Sequence, residues 1–339
     1  MKKRLLITGG AGFIAHHILY YFLKNTDFDI VSLDRLDFSG NLDRINEILA
    51  DCSSEEKSRV SIVYHDLKAE LNDYVIEKLG DINYIFHMAA SSHVTRSIKY
   101  PLDFIHDNVL GTANILEYSR TLKHLERFIY FSTDEVFGPS INNRSFSEWD
   151  RYNSSNPYSA SKAAAEEICI AYENTYKLPI YITHTMNVYG ERQSYEKYIP
   201  MTIKKILNNE VINIHFDSKT GEIGSRTYLY AQDVAECLLF ILSQREPIPF
   251  PKNHYGGKCH KFNIVSSDLM NNLEMAELIA NSMGKKLQFK LVDANIERPG
   301  HDFKYLISGD YLKSLGWIKK TPIEIGIPKV TNYILEKSL

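Results

Sequence analysis

Apolar positions along the chain recur in two alternating rhythms. The run Arg4–Thr8 meets a glycine turn, after which Phe13, Ile14, Ile18, Leu19 and Phe22 follow at helical spacing, and a second run from Asp29 to Leu33 ends at Asp34. A strand-length run, a helix-period stretch and another run predict a β-α-β unit. Further strand-like runs at Val60–Tyr64, Tyr84–Met88, Arg127–Ser132 and Ile180–Thr185 are separated by helix-length segments, among them Leu102–Arg120 and Pro157–Tyr176. That alternation predicts an α/β fold built on a doubly wound, mostly parallel (Rossmann) sheet. After Asn187 the pattern loosens into polar segments punctuated by Gly and Pro, with a helix predicted at Ala231–Ser243 and a strand at Lys261–Val265. The expected division is a Rossmann domain over 1–187 plus about 231–266, and a smaller, interleaved C-terminal α/β substrate domain over 188–230 and 267–339.

Composition narrows the classes open to such a fold. With 44% hydrophobic and 24% charged residues over 339 positions, the chain matches a globular enzyme with volume for a proper core, which excludes disorder as its main state. The net charge of -3 arises from 39 basic and 42 acidic side chains spread along the chain, so no basic stripe points to a nucleic-acid partner. Cys52, Cys169, Cys237 and Cys259 lie far apart without a C-x-x-C pair, which argues against structural zinc or a disulfide framework and for reduced thiols. The basic start Lys2-Lys3-Arg4 leads into an apolar run broken by Gly9 and Gly10, unlike a signal peptide. No stretch approaches the ~20 apolar residues of a membrane span. A cytoplasmic protein without a membrane partner is expected.

The glycine turn carries the first candidate chemistry. Thr8-Gly9-Gly10-Ala11-Gly12-Phe13-Ile14-Ala15 closes a strand and opens a helix, so backbone N–H groups from Gly9 and Gly12 to Phe13 and Ile14 converge on an anion such as a pyrophosphate. The spacing is G-x-x-G-x-x-A, and a purely structural turn is a serious rival on the glycines alone. Asp34, at the end of the second strand, is placed to hold the adenosine ribose hydroxyls and to repel a 2′-phosphate, which favours NAD over NADP. Arg35 beside it leaves NADP open, and Asp66-Leu67 past the third strand can reach the adenine edge.

A second group belongs to proton chemistry. Tyr158-Ser-Ala-Ser-Lys162 opens a helix after Asn156-Pro157, and i, i+4 spacing puts phenol and ammonium on one face. The lysine cation is expected to lower the phenol pKa, so that Tyr158 takes a hydroxyl proton while hydride leaves the same carbon. Ser132-Thr133-Asp134-Glu135 ends a predicted strand at the edge where open α/β sheets bind ligands. A solvated turn is the plain reading. The chemical reading is a general acid and a general base, with Thr133 hydrogen-bonding the reacting hydroxyl.

Together these residues resemble the extended short-chain dehydrogenase/reductases, and within them the nucleotide-sugar 4,6-dehydratases of the dTDP-glucose 4,6-dehydratase type. The resemblance rests on Thr8–Ala15, Asp34–Asn41, His87-Met-Ala-Ala-Ser-Ser-His-Val-Thr-Arg-Ser-Ile98, Ser132–Gly138, Tyr158–Lys162, Asn187-Val-Tyr-Gly190 and Arg298-Pro-Gly-His-Asp302. Asp134-Glu135 is the discriminating element, since epimerase relatives lack this acidic pair. The resemblance implies a tightly held NAD, contacted also by Ala89, Tyr158 and Lys162, and a redox-neutral dehydration of a nucleoside-diphosphate hexose to a 4-keto-6-deoxy sugar. In it Tyr158 takes the 4-hydroxyl proton, Glu135 the C5 proton, and Asp134 protonates the departing 6-hydroxyl. It further implies Ser92, His93, Asn187, Glu196, Lys197, Arg226, Arg298, His301 and Tyr305 as substrate-binding residues, and Phe216–Ser225 after Ile212–His215 as the base-contacting segment. No metal is implied. A homodimer is, with Leu102–Arg120 and Pro157–Tyr176 packing into a four-helix interface. Thr95, Met186 and Tyr228 depart from the family's pattern and leave the sugar open. A 4-epimerase or decarboxylase of the same fold, or a non-catalytic NAD-binding protein, is the alternative.

Overall fold

The computed structural model describes residues 2–37, 39–251, 259–294 and 305–338. Its central sheet is built from β1 (Arg4–Thr8), β2 (Asp29–Asp34), β3 (Val60–Tyr64), β4 (Tyr84–His87), β5 (Arg127–Thr133), β6 (Ile180–Thr185) and a later strand, His260–Ile264. The spatial order is β3-β2-β1-β4-β5-β6 followed by His260–Ile264, and every pairing is parallel. Strand order reverses between β1 and β4, so helices leave on opposite faces there and a crevice opens at the C-terminal ends of the strands.

The expected parallel sheet forms because its inner strands are buried on both faces. Leu5 and Ile7 of β1 pack with Ala15, Ile18 and Phe22 of α1 (Phe13–Asn25) and with Val234 and Leu238 of the helix Ala231–Ser243. Leu6 faces the other way, in a core with Ile85, Phe128, Ile115, Ala165 and Cys169. The intervening helices α2 (Leu42–Ala50), α3 (Ser54–Ser58) and α4 (Asp73–Leu79) complete the first half.

The stretch expected as one helix over Leu102–Arg120 is interrupted. After α5 (Val94–Lys99), it runs through α6 (Pro101–Phe104), a π-helical turn Ile105–Leu110 and α7 (Gly111–Thr121). The wide turn lets Asp107 and Asn108, adjacent in sequence, both bond back to Ser91: Asp107 accepts from its hydroxyl, while Asn108 exchanges two bonds with its backbone. An ordinary turn rotates neighbours about 100° apart, and π turns concentrate at functional sites. Pro157–Tyr176 is a single helix, α8, as expected.

Past β6 the chain is more ordered than its composition implied. β7 (Val188–Tyr189), α9 (Tyr198–Leu207), β8 (Ile212–Phe216), β9 (Ser225–Thr227) and β10 (Leu229–Tyr230) precede α10, the expected helix Ala231–Ser243, and β11, the seventh sheet strand already described. Pro200 gives α9 the look of a loop, yet it lies in the first turn, where no helical N–H bond is lost; Ile199, Ile203 and Ile206 are buried one turn apart. With β12 (Leu269–Asn271), α11 (Asn272–Ser282), β13 (Phe289–Asp293) and the C-terminal helix Ile323–Ser338, this region forms the smaller α/β unit around its own core. Tyr311, Leu312 and Trp317 pack on the sheet side, against the core of β1 and α1.

Candidate active site

One wall of the crevice is the glycine turn. Gly9 takes φ +68°, a conformation that side chains resist, and a Cβ there would lie 2.9 Å from the Ala89 backbone. Thr8 fixes that close approach: its Oγ1 accepts from the backbone N–H of Met88 and of Ala89, each at 3.1 Å. The same oxygen lies 2.7 Å from Nδ1 of His87, whose Nε2 is 2.9 Å from Thr112 Oγ1. His87 is thus a buried hydrogen-bonder, held neutral by desolvation and then by Lys162. Gly12 caps α1 without any side-chain hydrogen bond, so no capping side chain claims the first-turn N–H groups at Phe13 and Ile14.

A cleft of about 630 Å³ joins these parts, lined by Gly9, Gly12, Asp34, Arg35, Asp66, Leu67 and Ala89 among the expected residues. Asp34 is nearly buried; Oδ2 accepts from Ala11 N at 3.1 Å and Oδ1 from Leu36 N at 2.8 Å, leaving each oxygen a lone pair. Arg35 is occupied: its guanidinium binds Asp37 at 2.7 Å and Asp107 at 2.6 Å, and Asp66 lies 3.6 Å away. Asp37 and Asp107 were not apparent from sequence, because both meet Arg35 only through the β2 loop and the π turn. An arginine bracketed by carboxylates is a poor 2′-phosphate ligand. Asp37→Ala is expected to improve NADP+ binding relative to NAD+, by a factor on the order of ten, measured by calorimetry on both dinucleotides; an unchanged ratio refutes that role.

The second wall carries the residues expected to move protons. β5 ends at Thr133, and its extended backbone passes into a 3₁₀ turn, Asp134–Phe137, that displays the acidic pair. Asp134 is buried, and its carboxyl is pushed up to about 7 by desolvation and then by Glu135. Thr133 Oγ1 donates to Asp134 Oδ1 at 3.1 Å. Glu135 accepts from the Asn156 side-chain amide at 3.1 Å, and Asn156 also caps α8 in a box with Ser159. The cap therefore sets the spacing between the acidic pair and Tyr158, two residues on. The Asn-Pro dipeptide before the helix was the available signal for Asn156.

Tyr158 and Lys162 share a face of α8, but the expected lowering of the phenol is not what the protein alone produces. Burial, then the Glu135 charge, holds the Tyr158 phenol above its ordinary value, with only Thr133 pulling it down. Lys162 Nζ instead donates to the Phe131 carbonyl at 2.6 Å and lies 4.3 Å from the centre of the Tyr130 ring. Its ammonium is brought down to about 8 by burial. Asn108 ties α8 to the π turn through Ser161 at 2.8 Å.

The expected substrate residues fall into two groups. Arg226, on β9, donates to Ser225 O at 2.9 Å, lies 5.4 Å from the centre of the Tyr305 ring, and its charge reaches Asp134. Tyr305 Oη is 3.5 Å from Ser155 Oγ, and Asn187 turns the chain out of β6 with φ +37°. His93 begins α5 with Nε2 4.0 Å from Glu196 Oε2; Ser92 beside it is exposed, as is Lys197 at the start of α9. Arg298 and His301 lie outside the described residues. Of the departures from the family pattern, Thr95 is exposed, Met186 packs with Phe137 and Tyr305, and Tyr228 belongs to the core of the smaller unit. Among the described residues no group of three or more His, Cys, Asp or Glu is arranged to hold a metal ion.

A dinucleotide turn facing a Tyr-x-x-x-Lys helix across a doubly wound sheet, with a second unit over the crevice, defines an extended short-chain dehydrogenase/reductase. The family model described as GDP-mannose 4,6 dehydratase matches residues 6–330, and the chain belongs to that family. It is 33% identical to dTDP-D-glucose 4,6-dehydratase of Mus musculus, covering 98% of this chain and 88% of that one. Among solved structures it is similar to dTDP-glucose 4,6-dehydratase from Streptomyces venezuelae, which has NAD bound, with a TM-score of 0.83, 27% identity and coverage of 98% and 97%. A UDP-glucose 4-epimerase from Thermus thermophilus, solved with NAD, shares the fold at a TM-score of 0.81 and 24% identity, covering 98% of this chain and 99% of that one.

Proposed function

We propose that the chain is an NAD-dependent nucleotide-sugar 4,6-dehydratase acting on a dTDP- or UDP-glucose-type substrate. The observation that carries this reading is the acidic pair beside Tyr158, with Asp134 held near neutrality and Glu135 bound by Asn156. An epimerase has no use for a carboxylic acid that holds its proton up to about neutral pH at the sheet edge.

The uncapped helix start, the Gly9 approach to Ala89 and the Asp34 carboxylate suit a dinucleotide, with Gly9, Gly12, Phe13 and Ile14 at the pyrophosphate, Asp34 at the ribose, and Asp66 and Leu67 near the adenine. When bound, NAD supplies the acceptor for the C4 hydride and its donor to C6, so no net redox change results. Tyr158 takes the 4-hydroxyl proton, assisted by the Lys162 cation and by Thr133. The C4 ketone acidifies C5–H, and Glu135 removes that proton. Asp134 protonates the 6-hydroxyl, which leaves as water; Glu135 returns its proton to C5, and the proton gained at Tyr158 balances the one lost from Asp134. Arg226 is assigned to the diphosphate, whose paired oxygens match a guanidinium fork, together with Asn187 and Lys197; Arg298, for the diphosphate, and His301, for the ligand, are assigned on the family resemblance alone. Ser92, His93, Glu196 and Tyr305 are assigned to orienting the sugar. The unit over 188–230 and 267–339 is the substrate-binding domain in this reading, apart from the 310–317 segment on the sheet side.

The test is mass spectrometry on dTDP-, UDP-, GDP- and CDP-hexoses incubated with the protein. Loss of one water from one of them supports the reading, and altered stereochemistry at unchanged mass replaces it with epimerisation.

The same reading includes a homodimer in the cytoplasm. No helix among the described residues is long and apolar enough to cross a membrane, and the four cysteines are buried free thiols. Ile98, Leu102, Ile105 and Leu110 are all exposed along α5 to the π turn, with Leu102 at 69%. Covering a leucine is worth about 1.5–3 kcal/mol. Leu102→Asp with Ile105→Asp is expected to sediment as a folded monomer where the wild type sediments as a dimer; a wild-type monomer at micromolar concentration removes the dimer.

A further inference from the structure

Behind the acidic pair lies a buried ionic cluster that the chemistry above leaves unused. Glu166 sits on α8 one turn beyond Lys162 and is fully buried. Its Oε1 accepts from the Ser132 hydroxyl, at the end of β5. Its Oε2 accepts from Tyr152 and faces His184 Nε2 on β6 at 3.1 Å and Lys261 Nζ on β11 at 3.9 Å. His184 is fixed in turn by Asn263 Oδ1 at 2.9 Å. A buried ion pair is weak evidence for stability, since apolar residues of similar volume often do as well. Its persistence at this place calls for another use.

We propose that Glu166 is a positioning residue: its carboxylate ties the end of β5, bearing Thr133, Asp134 and Glu135, to α8, bearing Tyr158 and Lys162, and is the anion that keeps Lys162 a cation. The proposal rests on the dehydratase reading for the roles of those residues. The groups facing Lys162 are Glu166 and Cys169 from α8, the Tyr130 ring and Phe131 carbonyl from β5, and His87 from β4. Desolvation lowers the ammonium, and Glu166 is the largest opposing influence. The groups facing Glu166 are Lys162, Ser132, Tyr152, His184 and Lys261. Glu166 thus has Lys261 3.9 Å away and Lys162 one helical turn before it on α8.

The experiment is the pH profile of the first half-reaction, read as dinucleotide reduction in a single turnover. Glu166→Gln should move the alkaline limb to lower pH by about a unit, a tenfold loss of cation at a given pH, with kcat affected and KM unchanged. Glu166→Asp, which keeps the charge, should lose rate with the limb in place. Lys261→Met, which removes the competing cation, should move the limb the other way. A Glu166→Gln limb superimposed on the wild type overturns the proposal, as does an Asp variant that shifts as far as Gln. If the Gln variant fails to fold, Lys261→Met decides: a limb that stays or moves to lower pH overturns it. If the wild type reduces no dinucleotide with any nucleotide sugar, the dehydratase reading fails separately. The Glu166 proposal is then read by calorimetry of NAD+ binding, where Glu166→Gln should weaken increasingly against the wild type as pH rises; parallel curves overturn it.

Discussion

Tyr158→Phe is expected to lower turnover by about 10²–10⁴-fold, the range for losing a positioned general base, while the protein stays folded and keeps its dinucleotide. The ring itself is a packing element, meeting Phe104 edge-on with centroids 6.3 Å apart, and phenylalanine preserves that contact. What disappears is a phenol placed with Thr133, Glu135 and Asp134. Burial and the two carboxylates hold that phenol above its ordinary value, so the protein alone leaves it protonated. In the proposed mechanism its activation would fall to positive charge, supplied by Lys162 and by NAD+ when bound. Lys162→Met should lose activity comparably and weaken NAD+ binding as well, which Tyr158→Phe should not. Dinucleotide content after purification, together with single-turnover reduction, separates the two. A Tyr158→Phe variant that reduces dinucleotide at the wild-type rate removes the tyrosine from the mechanism.

The sheet and the chemistry at its edge were legible for a common reason: both are written in short-range patterns. β1, β2, β4, β5 and β6 are apolar on both faces, Gly9 and Gly12 mark the turn, and Tyr158 and Lys162 sit one helical turn apart. What stayed hidden depends on tertiary contact. Asp107 and Asn108 looked like ordinary polar positions in a long helix, because one inserted residue in the π turn leaves no trace in a 3.6-residue period. Asp37 means little until Arg35 closes on it, and only that closure shows the guanidinium engaged by carboxylates. The phenol was expected to be lowered because the sequence places Lys162 near it; the sequence does not reveal that the ammonium points at the Phe131 carbonyl. Glu166, four residues beyond Lys162, could have been singled out by the same i, i+4 argument, but its partners Ser132, His184 and Lys261 come from three different strands.

Glu135→Gln and Asp134→Asn are expected to stop the cycle after oxidation, each in its own way. With Tyr158 and Lys162 intact, both variants should still reduce dinucleotide when given a substrate, and the recovered sugar should carry the 4-ketone, lighter by two hydrogens and not by a water. They differ at C5. In deuterated solvent Asp134→Asn should exchange the C5 hydrogen, because Glu135 still removes it once the ketone forms, whereas Glu135→Gln should not. Loss of water should fall by about 10²-fold or more in either variant. The pH dependence follows from the Asp134 carboxyl, raised to about 7 by burial and by Glu135. The acid form is the proton donor, so elimination should be level below that value and fall tenfold per unit above it. Oxidation, which needs Lys162 and not the acid, should persist to higher pH. Between the two limbs the wild type should therefore accumulate oxidised sugar and reduced dinucleotide, visible as a burst of absorbance that grows with pH. Elimination and oxidation limbs that coincide would mean that Asp134 is not the acid, since a group shared by both steps would then set the limit.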